Sequence, residues 1–104
     1  MVTDVTPENF NELQEGKAIL DFWAPWCGPC RMFKPIFEET AAEYPDIKFG
    51  KVNTEEPVNQ TLAGQFGIMG IPTSVFLKDG KEVGRFSGAV PKDVFKEKIK
   101  EFFG

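Results

Sequence analysis

From Ala18 to Ala24 every residue except Asp21 is apolar, with no alternation of apolar and polar positions. A short run of that kind reads as a strand buried on both faces. Ile47 to Asn53 and residues 2–5 read as further strands. Thr73 to Lys78 and Lys81 to Ser87 flank Asp79-Gly80, a two-residue link that predicts an antiparallel hairpin. Helical spacing lies between these strands. Thr6 suits an N-cap with Pro7 at the first helical position and Glu8 at its positive end, Phe10 and Leu13 supply an apolar face, and Gly16 ends the helix. Phe33, Ile36, Phe37, Ala41 and Tyr44 space a second helix that should bend at Pro35 and stop at Pro45-Asp46. Glu55 and Glu56 precede a third at Pro57, whose face is Val58, Leu62 and Phe66 and whose cap is Gly67. After Pro91, the residues Val94, Phe95, Ile99, Phe102 and Phe103 form the buried stripe of a last helix, with lysines on a solvated side. Strands alternating with helices and ending in a hairpin predict an α/β fold, a mixed sheet covered by helices on both faces.

Composition narrows the function classes. The 104 residues fit one domain, residues 1–104, large enough for a core of its own. A net charge of −4 argues against a nucleic-acid partner. The apolar runs are too short for a bilayer, so no membrane partner is expected. The first twenty residues lack a basic start and apolar core, so no signal peptide is expected and the reading is cytoplasmic. There is no histidine, which removes Cys–His and Ser–His–Asp catalysis. Two cysteines alone fall short of the four ligands of a structural zinc site, so no metal is expected.

Those two cysteines stand in Trp26-Cys27-Gly28-Pro29-Cys30, between the buried strand and the second helix. Free N–H groups and the positive helix end favour an anion there, and a thiolate is that anion. Cys27, nearer the strand end, is the attacking thiol. Cys30, inside the first turn and more buried, is the resolving one. Cys27 forms a mixed disulfide with a substrate, and Cys30 attacks Cys27 to release it. Gly28 and Pro29 offer no side-chain donor, and Pro29 has no N–H, so thiolate stabilisation should be moderate. The pair should then prefer its oxidised state and donate electrons. Asp21, mid-strand, should have its pKa raised by burial and serve as base for Cys30. The alternative is an inert ion pair with Lys51 of the next strand.

The block from Asp21 to Cys30, with both tryptophans and Gly-Pro between the cysteines, resembles the active-site block of the thioredoxin family. Gly70-Ile71-Pro72-Thr73 resembles that family's cis-proline loop, and Asp79-Gly80 and Ser87-Gly88 fall where it places a hairpin and a glycine. The resemblance covers residues 5–104. It implies the thioredoxin fold, a five-stranded mixed β-sheet with four flanking helices. It implies a protein-disulfide reductase that maintains redox homeostasis as an electron donor, needs no cofactor beyond the Cys27–Cys30 disulfide, and is recharged by thioredoxin reductase. Pro72 would be cis and lie against the cysteines. Ile71 would pair its backbone with an extended substrate. Trp26, Ile71, Pro72, Gly88 and Ala89 would line an apolar docking surface, and Lys51 would neighbour Asp21. A monomer is expected. Met69 and Pro25 depart from the family's common residues beside that surface and bear on partner preference.

Three other readings compete. An oxidase or isomerase of the same fold would show a more oxidising potential. A binding subunit would survive loss of both thiols. A thiol metal chaperone would take up metal tightly.

Overall fold

The computed structural model describes residues 2–104. Five strands, β1 (Val2–Asp4), β2 (Lys17–Trp23), β3 (Ile47–Asn53), β4 (Thr73–Lys78) and β5 (Lys81–Ser87), form one sheet in the order β1-β3-β2-β4-β5. The first three named in that order run parallel; β4 is antiparallel to β2, and β5 to β4. β2 is therefore central, which is why its run is apolar on both sides. Three α-helices accompany the sheet: α1 (Gly28–Glu43), α2 (Gln60–Gln65) and α3 (Lys92–Phe103). The place of the first predicted helix is taken by a 3₁₀ turn, Phe10–Gln14.

The two faces of the sheet hold separate cores. Leu20, Phe22, Val52, Val75 and Leu77 pack on one face with Phe10 and Leu13 of the 3₁₀ turn and Leu62 of α2. Ile19, Phe49 and Phe76 pack on the other with Phe33 and Phe37 of α1 and Phe95 and Ile99 of α3. Eight of the eleven phenylalanines belong to this second face, and the remaining three to the first. The phenylalanine count thus has a structural cause: rings fill the gap between sheet and helices edge to face or stacked, as in Phe37–Phe49 at 5.2 Å and Phe37–Phe95 at 5.9 Å.

Two elements depart from the sequence pattern. Residues 7–9 form turns and not an α-helix: Thr6 caps them as expected, but the backbone closes i to i+3, Asn9 N–H donating to the Thr6 carbonyl (3.2 Å) and Glu12 N–H to the Asn9 carbonyl (3.0 Å). Thr6 N–H donates to Asn9 Oδ1 (2.9 Å), and Glu8 N–H donates to Thr6 Oγ1 (3.2 Å). The third helix begins as a 3₁₀ turn, Pro57–Asn59, whose tighter winding moves the inward position by one residue. Val58, expected inside, is 57% exposed, and Asn59 is buried in its stead, its Nδ2 donating to the Asn53 carbonyl at 3.0 Å. The lysines of α3 lie on the solvated side as expected, and two of them, Lys92 and Lys96, pair with Glu43 of α1 and hold its pKa down at about 2.

The hairpin follows the pattern. Asp79 and Gly80 both have positive φ (50° and 83°), as a type I′ turn requires. β4 and β5 slip register between Phe76 and Leu77, where Gly84 faces Phe102 of α3. A Cβ at Gly84 would come within 2.5 Å of three atoms of the Phe102 ring. Replacing Gly84 by Ala should cost about 1–3 kcal/mol, read as a lower urea midpoint at unchanged slope. β5 is a sheet edge, and Lys81, Glu82 and Arg85 stand exposed along it. Arg85 grips Glu82 with two hydrogen bonds (2.5 and 2.7 Å) and donates a third to the Phe66 carbonyl at 2.8 Å.

Candidate active site

The chain leaves the sheet at Trp23 and enters α1 at Gly28. Cys27 is the N-cap of that helix, with Pro29 in its first turn. Cys27 and Cys30 are joined by a disulfide with their Cα atoms 5.2 Å apart. The backbone N–H of Cys30 donates to Cys27 Sγ at 3.2 Å. This is the contact that a capping side chain makes, with sulfur in place of oxygen. It directs a free N–H of the helix end at the sulfur that must carry charge when the bond opens. Cys27 is 5% exposed and Cys30 2%, so both are more enclosed than a simple exposed nucleophile. Arg31 reaches back to donate from Nη1 to the Pro25 carbonyl (3.2 Å), tying the loop to the helix. α1 continues through Pro35 to Glu43.

Across from the disulfide lies the loop before β4. The Ile71–Pro72 peptide is cis, and the Ile71 carbonyl oxygen is 3.9 Å from Cys27 Sγ. Ala24, Trp23 and Ile71 pack against the two cysteines. The Gly88 N–H donates to the Pro72 carbonyl at 2.8 Å, which joins the glycine after β5 to the same loop. Trp26 is 65% exposed and Met69 fully exposed. Beside Met69 and Ile71 a groove of about 240 Å³ is bounded by Thr54, Gln60, Ala63 and Ile68. Trp26, the Ile71–Pro72 loop and Gly88 thus come from three separate loops near the disulfide.

Asp21 lies deeper. It is fully buried, and neither carboxylate oxygen has a hydrogen-bond partner among the described residues. Burial pushes its pKa up to about 7, against the opposing pull of Lys51. Lys51 is its register partner on β3, as expected, yet the two do not form an ion pair. The Lys51 ammonium sits instead over the Trp23 ring, 4.2 Å from its centroid. Trp23 is accordingly half-buried, covered on one side by the lysine.

A family model for thioredoxin matches residues 1–101, nearly the whole chain. The chain belongs to the thioredoxin family. It is 42% identical over 100 residues to a thioredoxin of Bacillus subtilis, covering 94% of each protein. It is 53% identical over 75 residues to thioredoxin 1 of Synechococcus elongatus, covering 71% of this chain and 68% of that protein. The crystal structure of a Malassezia sympodialis thioredoxin superposes with a TM-score of 0.86 at 29% identity, covering all of this chain and 92% of that one. Membership makes the protein a thiol–disulfide oxidoreductase whose redox group is a disulfide in the chain itself.

Sequence reasoning missed Ser74. It follows Thr73 at the head of a strand whose next three residues are buried and apolar. A serine there attracts no notice in the chain, because its meaning depends on register. Asp21 pairs with Ser74 on one side and Lys51 on the other. Directly paired residues share a face, so the three side chains form one row beneath α1.

Proposed function

We propose that the protein is an electron-donating protein-disulfide reductase, with Cys27 as nucleophile and Cys30 as resolving thiol. The hydrogen bond from Cys30 N–H to Cys27 Sγ carries this reading. In the reduced protein, the Cys27 thiolate attacks one sulfur of a substrate disulfide. The substrate bond breaks, a mixed disulfide forms, and the first substrate thiolate leaves. Asp21, with a pKa near neutrality, takes the proton of Cys30. The Cys30 thiolate attacks Cys27 Sγ, the protein disulfide forms, and the second substrate thiolate leaves. Two electrons pass to the substrate, which takes up two protons. Lys51 moderates the charge on Asp21, while Gly28 and Pro29 keep the loop free of side-chain donors.

Trp26, Ile71, Pro72, Gly88 and Ala89 form the surface on which a substrate segment lies, with the Ile71 backbone pairing to it as an added strand. Replacing Trp26 by Ala should raise KM for a protein disulfide about tenfold, the effect of losing one aromatic anchor, and leave kcat near its starting value. Steady-state kinetics on a folded disulfide substrate reads this directly.

The oxidised protein would be recharged by a thioredoxin reductase. A donor of this kind works where the surroundings keep thiols reduced, which favours the cytoplasm. Among the described residues no helix is long and apolar enough to cross a membrane. A single domain working as a monomer suffices, because nucleophile, resolving thiol and base all come from one chain. The test is reduction of insulin disulfides with electrons from NADPH through a flavin-dependent thioredoxin reductase. Turnover that depends on Cys27 supports the reading. A reduction potential near those of strong disulfide donors, about −120 mV, would overturn the direction proposed.

A further inference from the structure

We propose that Ser74 is a positioning residue for Asp21: its hydroxyl donates to the Asp21 carboxylate and helps to set the pH at which that group gains and loses its proton. The proposal rests on the reading of Asp21 as the base for Cys30.

Three observations lead to it. Asp21 and Ser74 are directly paired across antiparallel strands β2 and β4. Such a pair places its Cβ atoms about 4.5–5.5 Å apart on the same face. Both residues are buried, at 0% and 1% exposure. Finally, Ser74 Oγ and both Asp21 carboxylate oxygens lack hydrogen-bond partners among the described residues. Leaving a buried hydroxyl and a buried carboxylate unpaired costs free energy on both sides. Neighbouring residues that are each unpaired have an obvious remedy. A turn about the serine χ1, or one bridging water, connects them. A hydroxyl can serve both states: it donates to the carboxylate and accepts from the protonated acid.

The surroundings leave few other influences on Asp21. From β3 it faces Lys51, and Asp4 of β1 stands beyond Lys51 in the same row. On β5 the partner of Ser74 is Phe86, which is uncharged. The inward residues of α1 are Cys30, Phe33, Phe37, Thr40 and Ala41, and those of α3 are Phe95 and Ile99. Among these only Cys30, when reduced, is titratable. Lys51 sits over the Trp23 ring and acts on Asp21 by charge alone, pulling its pKa down. The hydroxyl is thus the neutral donor that the sheet places directly opposite the carboxyl, while Trp23 Nε1, the other unpaired neutral donor on this face among the described residues, lies two residues along β2 itself.

Donation to the charged form is the stronger interaction, so its loss moves the titration of Asp21 upward. The test is a pair of isosteric variants, Ser74→Thr and Ser74→Val, with Ser74→Ala as the variant that adds no volume. Asp21 is followed in the oxidised protein by NMR of its side-chain carboxyl carbon. Val and Ala should raise the titration midpoint by about one pH unit, and Thr should restore it. Turnover measured on the same variants should shift its acid limb with the midpoint. A midpoint that stays in place in both Val and Ala overturns the role of Ser74 and leaves the base reading untouched. A midpoint that moves while the turnover profile does not supports the role of Ser74 and overturns the base reading instead.

Discussion

The oxidised protein carrying Asp21→Asn should exceed the parent in stability by about 4 kcal/mol at about pH 8, and match it at about pH 4. The sign follows from proton binding. The Asp21 carboxyl has its pKa raised from 3.8 to about 7 by burial. Between those values the folded protein holds a proton that the unfolded chain has lost. Stability therefore declines as pH rises through this window, and the full cost is present above it. A shift of about three units corresponds to about 4 kcal/mol, an upper figure because solvent reorganisation relieves part of it. Asparagine resembles the protonated acid in shape and has the same shortage of partners, so the two proteins converge in acid. Urea unfolding at several pH values measures the difference. A parallel pH dependence in the two proteins would show that another group carries it. The same substitution should slow release of the mixed disulfide by about a hundredfold or more near neutral pH, the usual contribution of a general base. A more stable but slower protein is what a functional buried charge predicts.

The second large effect is expected for Cys30→Ser. Cys27 would still attack, but the intramolecular attack on its sulfur would be lost. External thiols would have to replace a neighbour whose effective concentration reaches about 10⁵ M or more for well-oriented groups. The mixed disulfide should therefore persist for hours rather than turn over, and a complex of protein and substrate should be visible by non-reducing electrophoresis. Cys27→Ser should form no such complex. Trapping by Cys27→Ser and not by Cys30→Ser would exchange the roles of the two thiols.

The strands were legible to different depths in the chain. β3, β4 and β5 begin and end where turn residues punctuate apolar runs, and Asp79-Gly80 defines the hairpin in two letters. The first helix was legible only at its start: Thr6 caps Glu8 N–H as its type suggests, but nothing in the spacing of Phe10 and Leu13 distinguishes the 3₁₀ winding that follows from an α-helix. Val58 misled for a related reason: helical spacing assumes a winding that the 3₁₀ turn does not have. The cysteines, Asp21 and Lys51 each stand out by type or place. Ser74 does not, since a serine in a strand gains significance only once its cross-strand partner is known. The side of Lys51 that matters was hidden too: its attraction to Trp23 is a contact between strands that no spacing along one strand displays.

The charged border of β5 has a bearing on how the molecule treats its clients. Disulfide exchange brings in stretches of polypeptide with unpaired amides, the kind of chain that readily zips onto an open sheet. At one border the sheet offers them a three-residue strand, and at the other Lys81, Glu82 and an Arg85 already clasped by its neighbours. If substrates pair with the Ile71 backbone as proposed, these guarded borders leave that loop as the place where a visitor is held with its sulfur within reach, free to leave once reduced.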